Sequence, residues 1–202
     1  MEKAVIIFIK NPIEGKVKTR LAATVGDAKA LKIYLQLIAH TLNEVEITDA
    51  DKYIYFSESV ADEIGSNKLP YYKRVQQGKD LGERMLNAFA AVFAKGYKKV
   101  IIIGTDCPAI DSNLLEMAFE KLDETHIVFG PATDGGYYLA GMTKLETGLF
   151  FNIPWSTDTV LKESQSICRR QNKTFSLLKE LSDVDVEADL SHYKFILKEE
   201  QV

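Results

Sequence analysis

Cysteine is scarce in this chain. Cys107 and Cys168 are the only two in 202 residues, too few for a disulfide framework, and they point to a reducing compartment. Long apolar runs are missing as well: none approaches the roughly 20 residues a membrane-spanning helix needs, so no membrane partner is expected. Ala4 to Ile9 is too short for the apolar core of a signal peptide, and Lys10 interrupts it with no stretch of small residues behind, so a cytoplasmic location is expected. There is no basic excess. Lys and Arg number 25 against 29 Asp and Glu, a formal net charge of −4, which argues against nucleic acid as a partner. An anionic ligand must then be gripped by a local cluster of cations, not by the global field. Repeats, low-complexity tracts and Pro/Ser-rich linkers are absent too, and residues 1–202 read as one domain. Two phosphate-binding fingerprints are also lacking. A Walker A motif needs Gly where this chain has Lys10 and Lys-Ser/Thr where it has Lys16-Val17, and no Gly-x-Gly-x-x-Gly occurs.

The apolar content, 46%, is arranged in short runs. Ala4 to Ile9 and Val100 to Ile103 are continuous apolar stretches, the mark of strands buried on both faces of a parallel sheet. Lys52 to Phe56, Tyr72 to Val75, His126 to Phe129, Tyr137 to Met142 and Thr174 to Leu177 read as further strands. Between them the spacing predicts helices from about Asp27 to Val45, from the Asp80–Met85 stretch to about Lys95, from an Asp111 cap to Leu122, and from a Ser156 or Thr157 cap to about Arg170. Asp189 to Glu199 reads as a terminal amphipathic helix. Gly130 to Gly136 is expected as a turn, and the segment from Lys10 to Leu21 as a loop. Strands alternating with helices give an α/β fold with a mostly parallel central sheet flanked by helices.

In such sheets the ligand crevice lies outside the carboxyl ends of the strands. Asp106 follows the central strand there, as a ligand-binding carboxylate or as a cap for the next turn. The loop after the first strand carries Lys10, Lys16, Lys18 and Arg20, where side-chain cations and backbone N–H groups can meet phosphate. Asp106, Asp134, Asp158, Asp183 and Asp185 all fall in or beside predicted loops. A divalent cation bridging a diphosphate takes hard oxygen ligands, often one or two carboxylates plus waters, so Asp106 with one of the late aspartates would suffice. Gly135 and Gly136 allow close backbone approach to a substrate beside Asp134. Trp155, the only tryptophan, is a platform for a sugar or base, or a core residue. Cys107 has no histidine near it in sequence and reads as a small strand-end residue, not a nucleophile.

Five ordered motifs then carry a resemblance over nearly the whole chain. They are Phe8-Ile9-Lys10-Asn11-Pro12 with Gly15-Lys16-Val17-Lys18-Thr19-Arg20-Leu21, Gln77-x-x-Asp80-Leu81-Gly82-x-Arg84-Met85, Gly104-Thr105-Asp106-Cys107-Pro108, Gly130-Pro131-Ala132-Thr133-Asp134-Gly135-Gly136-Tyr137-Tyr138-Leu139 and Pro154-Trp155-Ser156-Thr157-Asp158-Thr159-Val160. They resemble the radical-SAM/selenodomain-associated transferases, a family described as glycosyltransferases and linked to arsenosugar biosynthesis. That family belongs to the nucleotide-diphospho-sugar transferase superfamily and is similar to molybdenum-cofactor and phospholactate guanylyltransferases. The resemblance implies a single GT-A-like domain, with Asp106 as the metal-binding carboxylate and Lys10, Lys18 and Arg20 as the phosphate-gripping loop. It sets Gln77, Asp80 and Gly82 near the nucleotide base or ribose. Residues Leu181 to Leu190 look like the family's Asp-x-Asp-Thr-Pro-Glu-Asp-Leu close, which makes Asp183 or Asp185 a second metal ligand. Val186 and Glu187 stand here for Thr-Pro, leaving the choice between the two acids open. Two features of the wider superfamily are absent. The missing Gly-Gly opening counts against a nucleotidyltransferase, and the single acid in Thr105-Asp106-Cys107-Pro108 counts against an ordinary Asp-x-Asp glycosyltransferase.

The expected activity is Mg²⁺- or Mn²⁺-dependent transfer of a sugar from a nucleotide-diphosphate sugar to a small-molecule acceptor. Asp134 or Asp158 would bind the sugar or acceptor and serve as general base if the reaction inverts. The alternatives are a nucleotidyltransferase that joins an NTP to a phosphorylated small molecule with release of pyrophosphate, and a nucleotide-binding protein without turnover.

Overall fold

Strand β1 (Lys3–Ile9) organises the molecule, because its side chains are buried on both faces of the sheet. In the computed structural model, which describes residues 2–65 and 70–193, it is flanked by β2 (Asp51–Phe56) and β4 (Lys99–Ile103), both parallel to it. β3 (Tyr71–Val75) continues the parallel arrangement at one edge. On the other side β6 (Tyr137–Met142) pairs antiparallel with β4 and with β5 (Ile127–Pro131), and β7 (Phe175–Leu177) pairs parallel with β5. The order across the seven strands is β3-β2-β1-β4-β6-β5-β7.

Strand alternation divides the core. Val5, Ile7, Ile9, Ile101 and Ile103 pack with Tyr34, Ile38 and Leu42 of α2 (Asp27–Ile47) and with Leu115 and Phe119 of α4 (Ser112–Glu124). Ala4, Ile6, Val100 and Ile102 face the opposite way, toward Met85, Phe89 and Val92 of α3 (Leu81–Phe93) and Ile167 and Cys168 of α5 (Val160–Arg170). Burying each large side chain of these two layers is worth about 1.5–3 kcal/mol. A third, smaller cluster joins Leu21 of α1 (Thr19–Val25) to Ile33 and Leu37 of α2 and to Val184 and Leu190 near the other end of the chain.

The strand order sets the position of the crevice. The chain moves outward from β1 through β2 to β3, then returns to the other side of β1 as β4, so the carboxyl ends of β1 and β4 form a topological switch point. The antiparallel β6 starts at the end where β4 finishes, with Ile103 opposite Leu139. The β5–β6 turn therefore comes to the same end.

Four local expectations change. The segment expected as loop up to Leu21 becomes helical at Thr19. No side-chain cap or early acidic residue announces α1, and Lys18 enters it in a left-handed conformation, φ 48°. Gly130 and Pro131 belong to strand β5, not to the turn. Neither Ser156 nor Thr157 caps α5. Ser156 has φ 65° and the Thr157 hydroxyl donates to the Pro154 carbonyl at 2.7 Å, so both shape a turn and the helix begins after Thr159. Near the C-terminus a 3₁₀ turn spans Glu187–His192 in place of the start of an α-helix; the remainder of the helix expected up to Glu199 lies outside the described residues. No helix among the described residues is long and apolar enough to cross a membrane.

Candidate active site

Asp106 leaves the end of β4 with its side chain 47% exposed and meets the ammonium of Lys18 at 2.5 Å. The Lys18 side chain itself is only 5% exposed. The same Nζ donates to the Val184 carbonyl at 2.7 Å and lies 3.8 Å from Asp185 Oδ1. Arg20, at the exposed surface, reaches Asp185 Oδ2 at 3.5 Å. The backbone closes the circuit, since Val184 N–H donates to the Asp106 carbonyl at 2.9 Å. Asp189 fixes the far segment by accepting from the N–H groups of Asp185 and Val186 at 2.8 and 2.9 Å. Three parts of the chain thus meet at one charged node.

Asp183 adds a further acid. Burial, then the charge of Asp106, raise its carboxyl to about 7; Lys18 opposes this, while Asp134 and Asp185 add to it. Such mutual influence means that Asp106, Asp134, Asp183 and Asp185 share one electrostatic environment. Among the described residues, no three side chains of the metal-binding types converge closely enough to hold an ion by themselves.

The loop after β1 is anchored from below. Lys10 N–H donates to the Tyr34 hydroxyl at 2.9 Å, and that hydroxyl donates back to the Lys10 carbonyl at 3.0 Å. Burial, with Asp106 nearby, holds the phenol above its ordinary pKa, so it remains a donor. The buried Asn11 ties this loop to the one after β2. Its amide donates to the Ser59 carbonyl at 2.8 Å, and its side-chain oxygen accepts from Glu58 N–H at 2.8 Å. The Lys10 side chain is left exposed at the cleft.

The cleft above these strand ends has a volume of about 690 Å³. Lys10, Arg20, Asp106 and Asp183 line its charged side. Asp134, Gly136, Tyr137, Trp155 and Asp158 line the cleft as well. Asp134 Oδ1 accepts from Gly136 N–H at 2.8 Å, which sets the turn. Gly135 sits outside the cleft with φ 88°, where an added Cβ would lie 2.1 Å from the Asp158 carbonyl oxygen; no other residue lets these two segments touch. Trp155 is partly buried, edge-on to Tyr137 at 6.4 Å between ring centres, and rests on Gly82. It is wall and packing residue together.

None of Gln77, Asp80 and Gly82, the three residues expected near the nucleotide, lines the cleft. Gln77 offers its backbone carbonyl to Asn87, and Asp80 caps α3 by accepting from Glu83 N–H at 2.9 Å. Gly82 is buried under the indole. The cleft surface here comes from Gln76, Leu81, Arg84 and Met85. Arg84, a member of the same motif with no role expected from the sequence, is a cleft cation whose Nε donates to the Gly78 carbonyl at 3.1 Å. Cys107 is 1% exposed and burial pushes its thiol up to about 12, which removes it as a nucleophile at neutral pH.

A family model described as "Uncharacterized protein conserved in bacteria (DUF2064)" matches residues 41–157. The chain belongs to the DUF2064 family. A search of curated proteins finds no match to it. Among solved structures, this DUF2064 chain is similar to a proposed nucleotide-diphospho-sugar transferase from Desulfovibrio desulfuricans G20. The two share 32% identity, with 100% of this chain and 90% of that one covered and a TM-score of 0.89. The inositol-1-phosphate CTP transferase from T. maritima matches at 16% identity, over 100% and 98% of the two chains, with a TM-score of 0.61. A CMP:2-keto-3-deoxy-manno-octonic acid synthetase in complex with CTP matches at 10% identity, over 98% of each chain, with a TM-score of 0.60. The DUF2064 fold here is that of the nucleotide-diphospho-sugar transferases.

Proposed function

We propose that this protein is a metal-dependent glycosyltransferase that moves a sugar from a nucleotide-diphosphate sugar to a small-molecule acceptor. The observation that carries this reading is the charged node: Asp106 at the switch point, tied to Lys18 and through Asp185 to Arg20, at the edge of a cleft of about 690 Å³. The relative from Desulfovibrio desulfuricans G20 supports it by its own description, as does the similarity of the five motifs to the radical-SAM/selenodomain-associated transferases.

The donor set suits a hard cation. Asp106 and Asp185 both contact one ammonium, itself a monovalent stand-in, and Asp183 is pushed toward neutrality by burial and by its acidic neighbours. Asp106 with Asp185 or Asp183 would hold Mg²⁺ or Mn²⁺ with the remaining positions left to water and phosphate. Bound there, the ion would offset the negative charge gathering on a departing diphosphate.

The protein's own groups do the rest. Lys10, Lys18 and Arg20 would grip the phosphates and offset the charge that develops on them. Gln77, Asp80 and Gly82 would support the wall nearest the nucleoside, and Trp155 with Gly136 would shape the sugar or acceptor side, Gly135 acting only through the close contact it allows with the Asp158 segment. Asp134 or Asp158, both exposed, would accept the proton of the acceptor hydroxyl.

One observation favours a second reading. Arg84 joins Lys10 and Arg20 on the cleft surface, and this number of cations also suits a triphosphate, as in transfer of a nucleotidyl group with release of pyrophosphate. A thermal-shift panel of NTPs, NDPs and NDP-sugars, each with and without Mg²⁺ or Mn²⁺, separates the two. Metal-dependent stabilisation by one NDP-sugar and its NDP, followed by NDP release with acceptor, is the expected outcome. Stabilisation by an NTP alone moves the assignment to nucleotidyl transfer, and no shift with any ligand removes both.

A further inference from the structure

We infer that Lys18 is a built-in counter-cation that keeps divalent metal out of the ligand-free site. This rests on the reading of Asp106 and Asp185 as the cation-binding carboxylates. Two of the oxygens a cation would use, Asp106 Oδ1 and Asp185 Oδ1, lie 2.5 and 3.8 Å from Lys18 Nζ. The Val184 carbonyl, a third hard oxygen, accepts from the same ammonium at 2.7 Å. One ammonium therefore gathers the oxygens that a divalent ion would share.

The position is built, not incidental. The Lys18 side chain is 95% out of solvent, while its neighbour Arg20 is 78% exposed and touches the same Asp185. Its backbone adopts φ 48° at the start of α1, a conformation uncommon for a residue with a Cβ, which turns the side chain inward between the two chain segments. The Val184–Asp106 backbone bond fixes the span that the ammonium bridges. A divalent ion entering the ligand-free site must displace this ammonium or sit beside it. Sitting beside it costs repulsion between like charges a few ångströms apart, and displacing it strands a buried charge. A site that loses the ammonium should bind metal without the penalty that Lys18 imposes, with only the exposed Arg20 left beside Asp185.

The test uses Mn²⁺ alone, with the free-ion paramagnetic resonance signal counting unbound metal. The protein is compared with Lys18→Met, which keeps length and loses charge, with Lys18→Gln, which keeps a donor for Val184, and with the double variant Lys18→Met/Asp106→Asn. Far-ultraviolet dichroism and a melt establish that each is folded, and Lys18→Gln stands in should the methionine variant fail to fold. The unmodified protein is expected to bind Mn²⁺ weakly and the single variants more than about tenfold tighter, with the gain lost in the double variant. Equal affinity in the protein and its Lys18 variants overturns the inference, and so does a lack of Mn²⁺ binding in all of them. The nucleotide reading is tested by the ligand panel, so the two can fail separately.

Discussion

Gly82 and Trp155 pack so closely that a Cβ on the glycine would stand 2.3 Å from the indole Nε1. Because the indole also forms part of the cleft wall, helix packing and cleft shape are the same contact. Gly82→Ala is expected to displace the ring, cost about 1–3 kcal/mol of stability and weaken nucleotide binding. Trp155 is the only tryptophan, so its emission maximum reports the movement directly. An unshifted spectrum would mean that the helix yields instead of the ring.

Asn11 is 7% exposed and joins the loops after β1 and β2 through both ends of its amide. Asn11→Ala leaves those backbone groups without their partner, a cost of about 1–3 kcal/mol. Urea denaturation should show a lower midpoint with an unchanged slope. Phosphate-ligand affinity should fall as well, because Lys10 rides on the same loop.

Asp106→Asn keeps the shape and an acceptor for Lys18 while removing the charge. Turnover is expected to fall by roughly a hundredfold or more, with a melting temperature close to that of the parent. Steady-state kinetics beside a melt decides this; unchanged turnover would remove Asp106 from the chemistry.

Asp183 has a carboxyl raised to about 7, first by burial and then by Asp106. The folded state therefore holds this proton more tightly than the unfolded chain, where a carboxyl titrates near 4. The stability it contributes is complete at low pH and is lost as pH rises from about 4 through about 7. Asp183→Asn, fixed in the neutral form, should escape that loss. In cation-free buffer the melting temperature of the variant minus that of the parent should increase between pH 5 and pH 8. A flat difference would show that Asp183 titrates like an exposed acid.

Much of the framework was legible because burial on two faces writes itself as continuous apolar runs, as in Ala4–Ile9 and Val100–Ile103. Their ends marked the crevice, and Lys10 and Asp106 follow those ends. Pairings across the chain were not legible. Nothing local says that Lys18 meets a carbonyl 166 positions away, or that Trp155 rests on Gly82. The start of α1 was hidden because a left-handed lysine, with no capping side chain, stands where a capping residue would have announced a helix. The direction of β6 was equally hidden, since an all-apolar run does not say which way its strand is inserted, and that direction delivers Asp134 to the cleft. Arg84 was visible as a motif residue, but helical spacing alone did not separate it from Asp80, whose carboxylate serves its own helix.

The hydrogen bond from Val184 to Asp106 has a bearing on how the protein is made. A nascent chain that has emerged only as far as β7 possesses the seven strands of the sheet and all but the last residues of the two main core layers. It still lacks Val184 and Asp185, on which the Lys18 ammonium rests. Synthesis thus delivers the scaffold before the charged node, so a ribosome-bound intermediate can be folded in its sheet and yet have no finished binding site.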